Sequence, residues 1–193
     1  MNKKKNLLVI SSPSGGGKST VARHLLNTFD NLKFSVSATT RGKRPNEIEG
    51  KDYFFMSKND FQKGIENGDM VEYEEIFGNY YGTLKSEIEK ARHKDFCLIF
   101  DVDVKGALSL KKAYPDDSIL IFLSPPDMSI LEERLIKRDT ESSEQISLRL
   151  SRAKLEMSLR EQFDYDIIND NLEETLNTVE KIVLKHMKIA GSL

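Results

Sequence analysis

Near the N-terminus, four apolar residues, Leu7-Leu8-Val9-Ile10, run into Ser11-Ser12-Pro13-Ser14-Gly15-Gly16-Gly17-Lys18-Ser19-Thr20, and then into the helix-compatible Val21-Ala22-Arg23-His24-Leu25-Leu26. The stretch reads as buried strand, tight loop, helix. Residues without Cβ let a backbone close round a phosphate, the next helix N-terminus adds partial positive charge, and a lysine reaches the outer phosphates. Lys18 fits that role, and Ser19 places a hydroxyl where a bridging Mg²⁺ would sit. The general pattern opens with Gly, where this chain has Ser12.

The 193 residues suffice for one domain with a sizeable core, and a formal net charge of −2 offers no global attraction to nucleic acid or membrane. The single cysteine, Cys97, lies in the apolar run Phe96–Phe100. It reads as a small buried hydrophobe in a chain suited to a reducing cytoplasm. Residues 1–10 carry three lysines around an apolar run of four, too short for a signal peptide or a membrane span.

Further along, Leu32–Thr40 alternates and is β-branched, which predicts one strand running into the basic loop Arg41-Gly42-Lys43-Arg44-Pro45. Tyr53–Met56 predicts a short strand, 59–67 a helix ended by Gly68, and 70–83 two strands joined by a turn. Residues 34–83 are therefore mostly β and read as an insertion. Helices near 84–93 and 105–113 flank the apolar strand 96–102; a second such strand, 119–123, precedes a helix over 128–138. The polar stretch 139–143, a helix over 145–162, a strand over 165–169 and a closing helix marked by Leu172, Leu176, Val179 and Val183 complete the chain. Strands alternating with helices predict an α/β fold with a parallel sheet.

Two charge clusters belong to the carboxyl edge of that sheet, where ligands bind in open α/β folds. Asp101-Val102-Asp103 ends a strand. Asp101 would orient Mg²⁺ or its waters and Asp103 would face a second substrate, or either would cap the following helix. Arg134 and Arg138 are four apart and Arg149 and Arg152 three apart, so each pair shares a helix face. Facing each other across a cleft, the pairs would neutralise a transferring phosphoryl group when a lid shuts. Solvated helix faces also carry arginines beside acids such as Glu132, Glu133 and Glu156.

These residues resemble the guanylate kinase family. The matching pieces are the phosphate loop, Phe34-Ser35-Val36-Ser37-Ala38-Thr39-Thr40-Arg41, Arg44, Gly50-Lys51-Asp52-Tyr53, Glu72, Gly78-Asn79-Tyr80-Tyr81-Gly82-Thr83, Asp101-Val102-Asp103, Gly106, Arg134-Leu135 with Arg138, Arg149-Leu150 and Ile168-Asn169-Asp170. They are collinear from about Leu7 to Ile182. The resemblance implies a P-loop NTPase-type sheet in a single domain: core 1–33, 84–127 and 160–193, a GMP-binding segment 34–83 and a helical lid 128–159. It implies Mg²⁺-dependent transfer of the γ-phosphoryl group of ATP to GMP, and to dGMP, in the cytoplasm.

The implied ATP site is Ser14, Gly15, Gly16, Gly17, Lys18, Ser19, Thr20, Arg134, Arg138 and Asn169. For GMP it is Arg41, Arg44, Tyr53 and Tyr81 at the phosphate, Ser37, Glu72, Thr83 and Asp103 around the guanine, with Asp101 and Arg149 beside them. Lys18, Arg44, Arg138 and Arg149 are the implied catalytic residues. Ser19 would hold Mg²⁺, with Asp101 acting through water. Guanine presents two parallel donors, N1–H and N2–H₂, which the Glu72 carboxylate would accept together; adenine presents an acceptor there. Besides Ser12, three positions depart from the family's usual residues: Lys43, Lys105 and Asp139. A scaffold-type interaction module of the same fold, or a kinase for a sugar phosphate, are the competing readings. His24, His93 and His186 lack metal-ligand spacing.

Overall fold

The computed structural model describes residues 4–76, 78–136 and 143–189, with backbone only at 134–135 and 143–145. Its principal sheet contains β1 (Leu7–Ser11), β2 (Leu32–Phe34), β7 (Cys97–Asp101), β8 (Ser118–Ser124) and β9 (Tyr165–Ile168). The order is β2-β7-β1-β8-β9 and every pairing is parallel.

Period-two alternation splits each central strand between two cores. Leu8 and Ile10, Cys97 and Ile99, and Ile119, Ile121 and Leu123 pack on one face with α1 (Lys18–Thr28) and α7 (Leu172–His186). Leu7 and Val9, Leu98 and Phe100, and Leu120 and Phe122 pack on the other with α3 (Lys85–His93) and α4 (Val104–Ala113). Both faces are covered, as the unbroken apolar runs predict. Cys97 is fully buried in the first of these cores, and burial pushes its thiol up to about 11.

A second sheet, β4-β3-β6-β5, is built from β3 (Ala38–Thr39), β4 (Phe54–Phe55), β5 (Met70–Ile76) and β6 (Asn79–Leu84). With α2 (Lys58–Glu66) it has its own small core of Ala38, Phe61 and Met70, where Phe61 stacks on Tyr80 at 5.4 Å. The strand predicted over 32–40 is thus two strands in two sheets. β2 pairs with β7, the chain leaves through Ser35 to Ser37, and β3 pairs with β6. The alternation continues across the break, so only the identity of the hydrogen-bonding neighbours separates the two.

Between β8 and β9 lie α5 (Met128–Ile136) and α6 (Ser143–Ser158), joined through a small contact of Leu131 with Ala153. The predicted helix 145–162 ends at Ser158 and continues as a single 3₁₀ turn, Arg160–Gln162. Among the described residues no helix is long and apolar enough to cross a membrane.

Candidate active site

The loop between β1 and α1 closes as its glycines require. Gly15 and Gly17 have φ of 89° and 96°, the left-handed region that favours glycine. A Cβ on Gly17 would also meet Asn169 Nδ2 at 2.4 Å. That amide donates to the Gly16 carbonyl at 2.9 Å, tying the segment after β9 to the loop. Ser12 is accommodated at the neighbouring Gly16: a Cβ there would stand 2.5 Å from Ser12 Oγ and 2.6 Å from Ser12 Cβ. Lacking a side chain at Gly16, the loop has room for one at Ser12.

Lys18 opens α1 and folds back over the loop, donating to the Ser12 carbonyl at 2.8 Å. Burial pushes its ammonium pKa down, opposed by Asp101, Glu156 and Asp103. The next residue, Ser19, donates to Asp101 Oδ2 at 2.9 Å across the carboxyl edge of the sheet. Thr20 caps the loop from inside the helix, its N–H donating to the Gly17 carbonyl at 3.1 Å.

Opposite the loop, α6 delivers Arg149, whose guanidinium donates to Ser14 Oγ at 3.0 Å. A cleft of about 390 Å³ between them is lined by Ser14, Lys18, Asp101, Asp103 and Arg149, among others. Arg152 lines the same cleft as Arg149, but its guanidinium is engaged differently. It turns to carboxylates instead, as described below. The Arg134 side chain and Arg138 lie outside the described residues.

The second sheet brings another group together. Arg41, at the end of β3, makes a two-pronged pair with Glu47, at 2.6 Å and 3.0 Å. Its guanidinium lies 5.3 Å from the Tyr53 ring centroid, and Tyr53 meets Tyr81 edge-on at 6.0 Å. Glu47, with a smaller contribution from Tyr81, pushes the guanidinium pKa up. Glu47 also accepts the Arg44 N–H at 2.8 Å, so one carboxylate orders the basic loop, while the Arg44 side chain is exposed. Sequence reasoning missed Glu47; its only signal is an acid six residues after an arginine in a turn-rich loop.

A third group occupies the space between β5 and the start of α4, lining a cleft of about 660 Å³. Thr83 Oγ1 donates to Glu72 Oε1 at 2.6 Å. Asp103 caps α4, accepting the Gly106 N–H at 2.8 Å. Gly106 is small for a reason: a Cβ there would stand 3.1 Å from Glu72 Oε2 and 3.2 Å from Asp103 Oδ1, so the two carboxylates converge on one place. Burial pushes Glu72 up from the usual glutamate value, partly offset by the Thr83 bond and reinforced by Asp103. Ser37 sits half-buried between β2 and β3, its carbonyl accepting from the Phe54 N–H at 2.9 Å.

The phosphate loop and Arg149 thus line one cleft and the paired carboxylates another, with Asp103 common to both, and the arginine–tyrosine cluster sits on the second sheet that carries Glu72 and Thr83. Comparison with known proteins agrees with that arrangement. A family model described as guanylate kinase matches residues 4–186. The chain is 50% identical over 173 residues to a guanylate kinase of Chlorobium luteolum, covering 90% of this chain and 88% of that one. It is 42% identical over 180 residues to a guanylate kinase of Thermotoga maritima, covering 93% and 86%. Its fold is similar to the crystal structure of guanylate kinase from Anaplasma phagocytophilum, with a TM-score of 0.72 at 34% identity, over 96% of this chain and 88% of that chain.

Proposed function

The chain belongs to the guanylate kinase family, and from that premise we propose that it transfers the γ-phosphoryl group of ATP to GMP, giving ADP and GDP, in the clefts just described. The observation that carries the assignment is that Ser14 and Lys18 of the phosphate loop, Asp101, Asp103 and Arg149 line one cleft. A donor's outer phosphates and an acceptor's phosphate would meet there.

In this reading ATP lies along Ser14 to Thr20, with Lys18 on its outer phosphates and Asn169 holding the loop. Arg134 and Arg138 complete the ATP side. GMP places its phosphate against Arg41, Arg44, Tyr53 and Tyr81, since guanidinium forks and phenol hydroxyls suit a dianion. Its base meets Glu72, Thr83, Ser37 and Asp103. Glu72 selects guanine because an ionised carboxylate accepts two parallel N–H donors, whereas adenine would leave that buried acceptor facing a lone pair.

No general base is required. The second pKa of a phosphate monoester lies near 6, so the acceptor is already largely a dianion at neutral pH. What the chain must supply is in-line positioning of two anions that repel, and charge to offset that repulsion. Lys18, Arg44, Arg138 and Arg149 provide it, and closing segment 128–159 over the cleft would exclude water.

Ser19 Oγ and Asp101 Oδ2, 2.9 Å apart beside the loop, are hard oxygen donors that fit Mg²⁺. Ser19 and Asp101 would hold the ion, which when bound would supply charge neutralisation at the donor's outer phosphates. We place the enzyme in the cytoplasm and include dGMP among its acceptors.

A coupled assay of ADP production with GMP, dGMP, AMP and a ribose phosphate as acceptors tests the proposal. GMP and dGMP turning over, with AMP slower by at least about 10²-fold, is the expected result. Turnover of the ribose phosphate alone, or none at all, overturns it.

A further inference from the structure

Arg152 stands where three parts of the molecule meet. It lies on α6, one turn on from Arg149, yet its Nη2 donates to Asp103 Oδ2 at 2.9 Å, on the main sheet's edge, and to Glu74 Oε1 at 3.4 Å, on β5. Its Nε donates to Glu156 Oε1 at 3.0 Å on its own helix, which holds the guanidinium in place along the helix axis. Helix α6, the second sheet and the carboxyl edge of the main sheet are joined through this one side chain.

We propose that Arg152, with Glu74, is a positioning residue for the acceptor base: it fixes Asp103 beside Glu72 and couples GMP binding to the placement of α6. The proposal rests on the reading of Glu72 and Asp103 as guanine-facing groups.

Three observations support it. Asp103 is held at both oxygens, Oδ1 by the Gly106 N–H and Oδ2 by Arg152, so its carboxylate plane is set. A carboxylate has about four lone-pair sites, so each oxygen still accepts a donor from the base. Glu72, Glu74 and Asp103 also line one cleft, and like charges so close favour protonation, which removes acceptor capacity. Among the described residues Arg152 is the cation within hydrogen-bonding distance of two of the three, and it opposes the upward push that burial and Asp103 give Glu74. Finally, Glu74 lies on the same strand as Glu72, two residues away, so a link from α6 to Glu74 also positions the strand that presents Glu72.

Removing Arg152 should therefore act on the acceptor and spare the donor. The side chain is 48% exposed, which limits each of its ion pairs to a modest effect. Steady-state kinetics of the whole chain are the test. In Arg152→Met, which keeps the apolar stem, KM for GMP should rise about three- to tenfold with KM for ATP within about twofold. Arg152→Lys, a point charge able to reach one carboxylate, should recover part of that rise. Glu74→Gln should raise KM for GMP by less, and should add nothing in the Arg152→Met background.

A KM for GMP unchanged in both Arg152→Met and Glu74→Gln overturns the proposal, as does an equal rise in both substrates' KM, which marks a structural role alone. If Arg152→Met fails to fold, Glu74→Gln with unchanged melting temperature carries the test by itself. Wild-type enzyme inactive on GMP would instead overturn the reading of the site, so the two failures are distinguishable.

Discussion

The side-chain amide of Asn169 donates a 2.9 Å hydrogen bond to the carbonyl oxygen of Gly16. A residue just past the last strand of the sheet thereby supports a loop formed some 150 positions earlier, and it does so from a buried position. The bond satisfies the Gly16 carbonyl, while the Gly16 N–H donates to the Pro13 carbonyl at 2.9 Å, so both polar groups of this peptide position are held.

Asn169→Ala should leave that carbonyl without its partner, a loss of about 1–3 kcal/mol for a buried group. The expected result is a roughly tenfold weaker ATP affinity by calorimetry, with GMP affinity unchanged. Gly17→Ala should be more severe, because a side chain there meets both a φ of 96° and the Asn169 amide at 2.4 Å. An Asn169→Ala protein that binds ATP like the parent would remove this support from the account.

Ser12 and Gly16 share one volume. Gly16→Ala should destabilise the protein by about 1–3 kcal/mol, since the new Cβ would lie 2.5 Å from Ser12 Oγ. The double variant Ser12→Gly with Gly16→Ala should recover most of that loss, a non-additivity read directly from urea denaturation of the four proteins. Additive losses would mean the two positions do not compete for space.

Lys18 couples activity against stability. Replacing it with Met keeps most of its volume and removes a cation that burial already disfavours. A loss of at least about 10²-fold in kcat is expected for removal of a charge at the transferring group. The folded protein should melt no lower than the parent, because the substitution relieves the desolvation of the ammonium. GMP affinity, measured without ATP, should hold within about twofold; a large fall there would place Lys18 on the acceptor side.

Glu72 carries a pH dependence whose sign follows from its environment. Burial raises its folded pKa above the ordinary 4.5, so the folded chain holds a proton there more readily than the unfolded chain. The stability this group contributes is full below the unfolded value and is lost as pH rises through the folded one. Glu72→Gln, which keeps an acceptor for Thr83, should therefore raise the melting temperature at pH 7 and change it less at pH 4. The same variant should lower kcat/KM for GMP by about 10²-fold or more, since an amide cannot accept both N1–H and N2–H₂. A Gln variant that melts lower at pH 7 and still discriminates GMP from AMP would contradict both statements.

Local chemistry made much of this legible. The strand, glycine loop and helix at residues 7–28 are written in adjacent residues, because a left-handed turn needs Gly15 and Gly17 wherever it occurs. The unbroken apolar runs 7–10, 97–100 and 119–123 announce strands buried on both faces, and both cores are present. The pieces around Arg41, Tyr53, Tyr81, Glu72 and Thr83 were visible as separate motifs, and the second sheet gathers them. Where residues 32–40 divide between two sheets was not visible. Ser35, Val36 and Ser37 continue the same alternation, and a strand's pattern states which face is buried without naming the neighbour that receives its hydrogen bonds.

Arg149 and Arg152 mark the same boundary between what adjacent residues specify and what packing settles. A spacing of three places both on one side of α6 by helical geometry alone, and sequence by itself determined that much, as it determined the phosphate loop, the element order and the presence of acids and bases fit for two anionic ligands. Tertiary structure decided that Arg149 reaches Ser14 while Arg152 is taken by Asp103 and Glu74. The reason is electrostatic and long-range: a guanidinium goes to whichever carboxylates the fold brings within about 4 Å, and those arrive from strands and loops nearly 50 and 80 positions away.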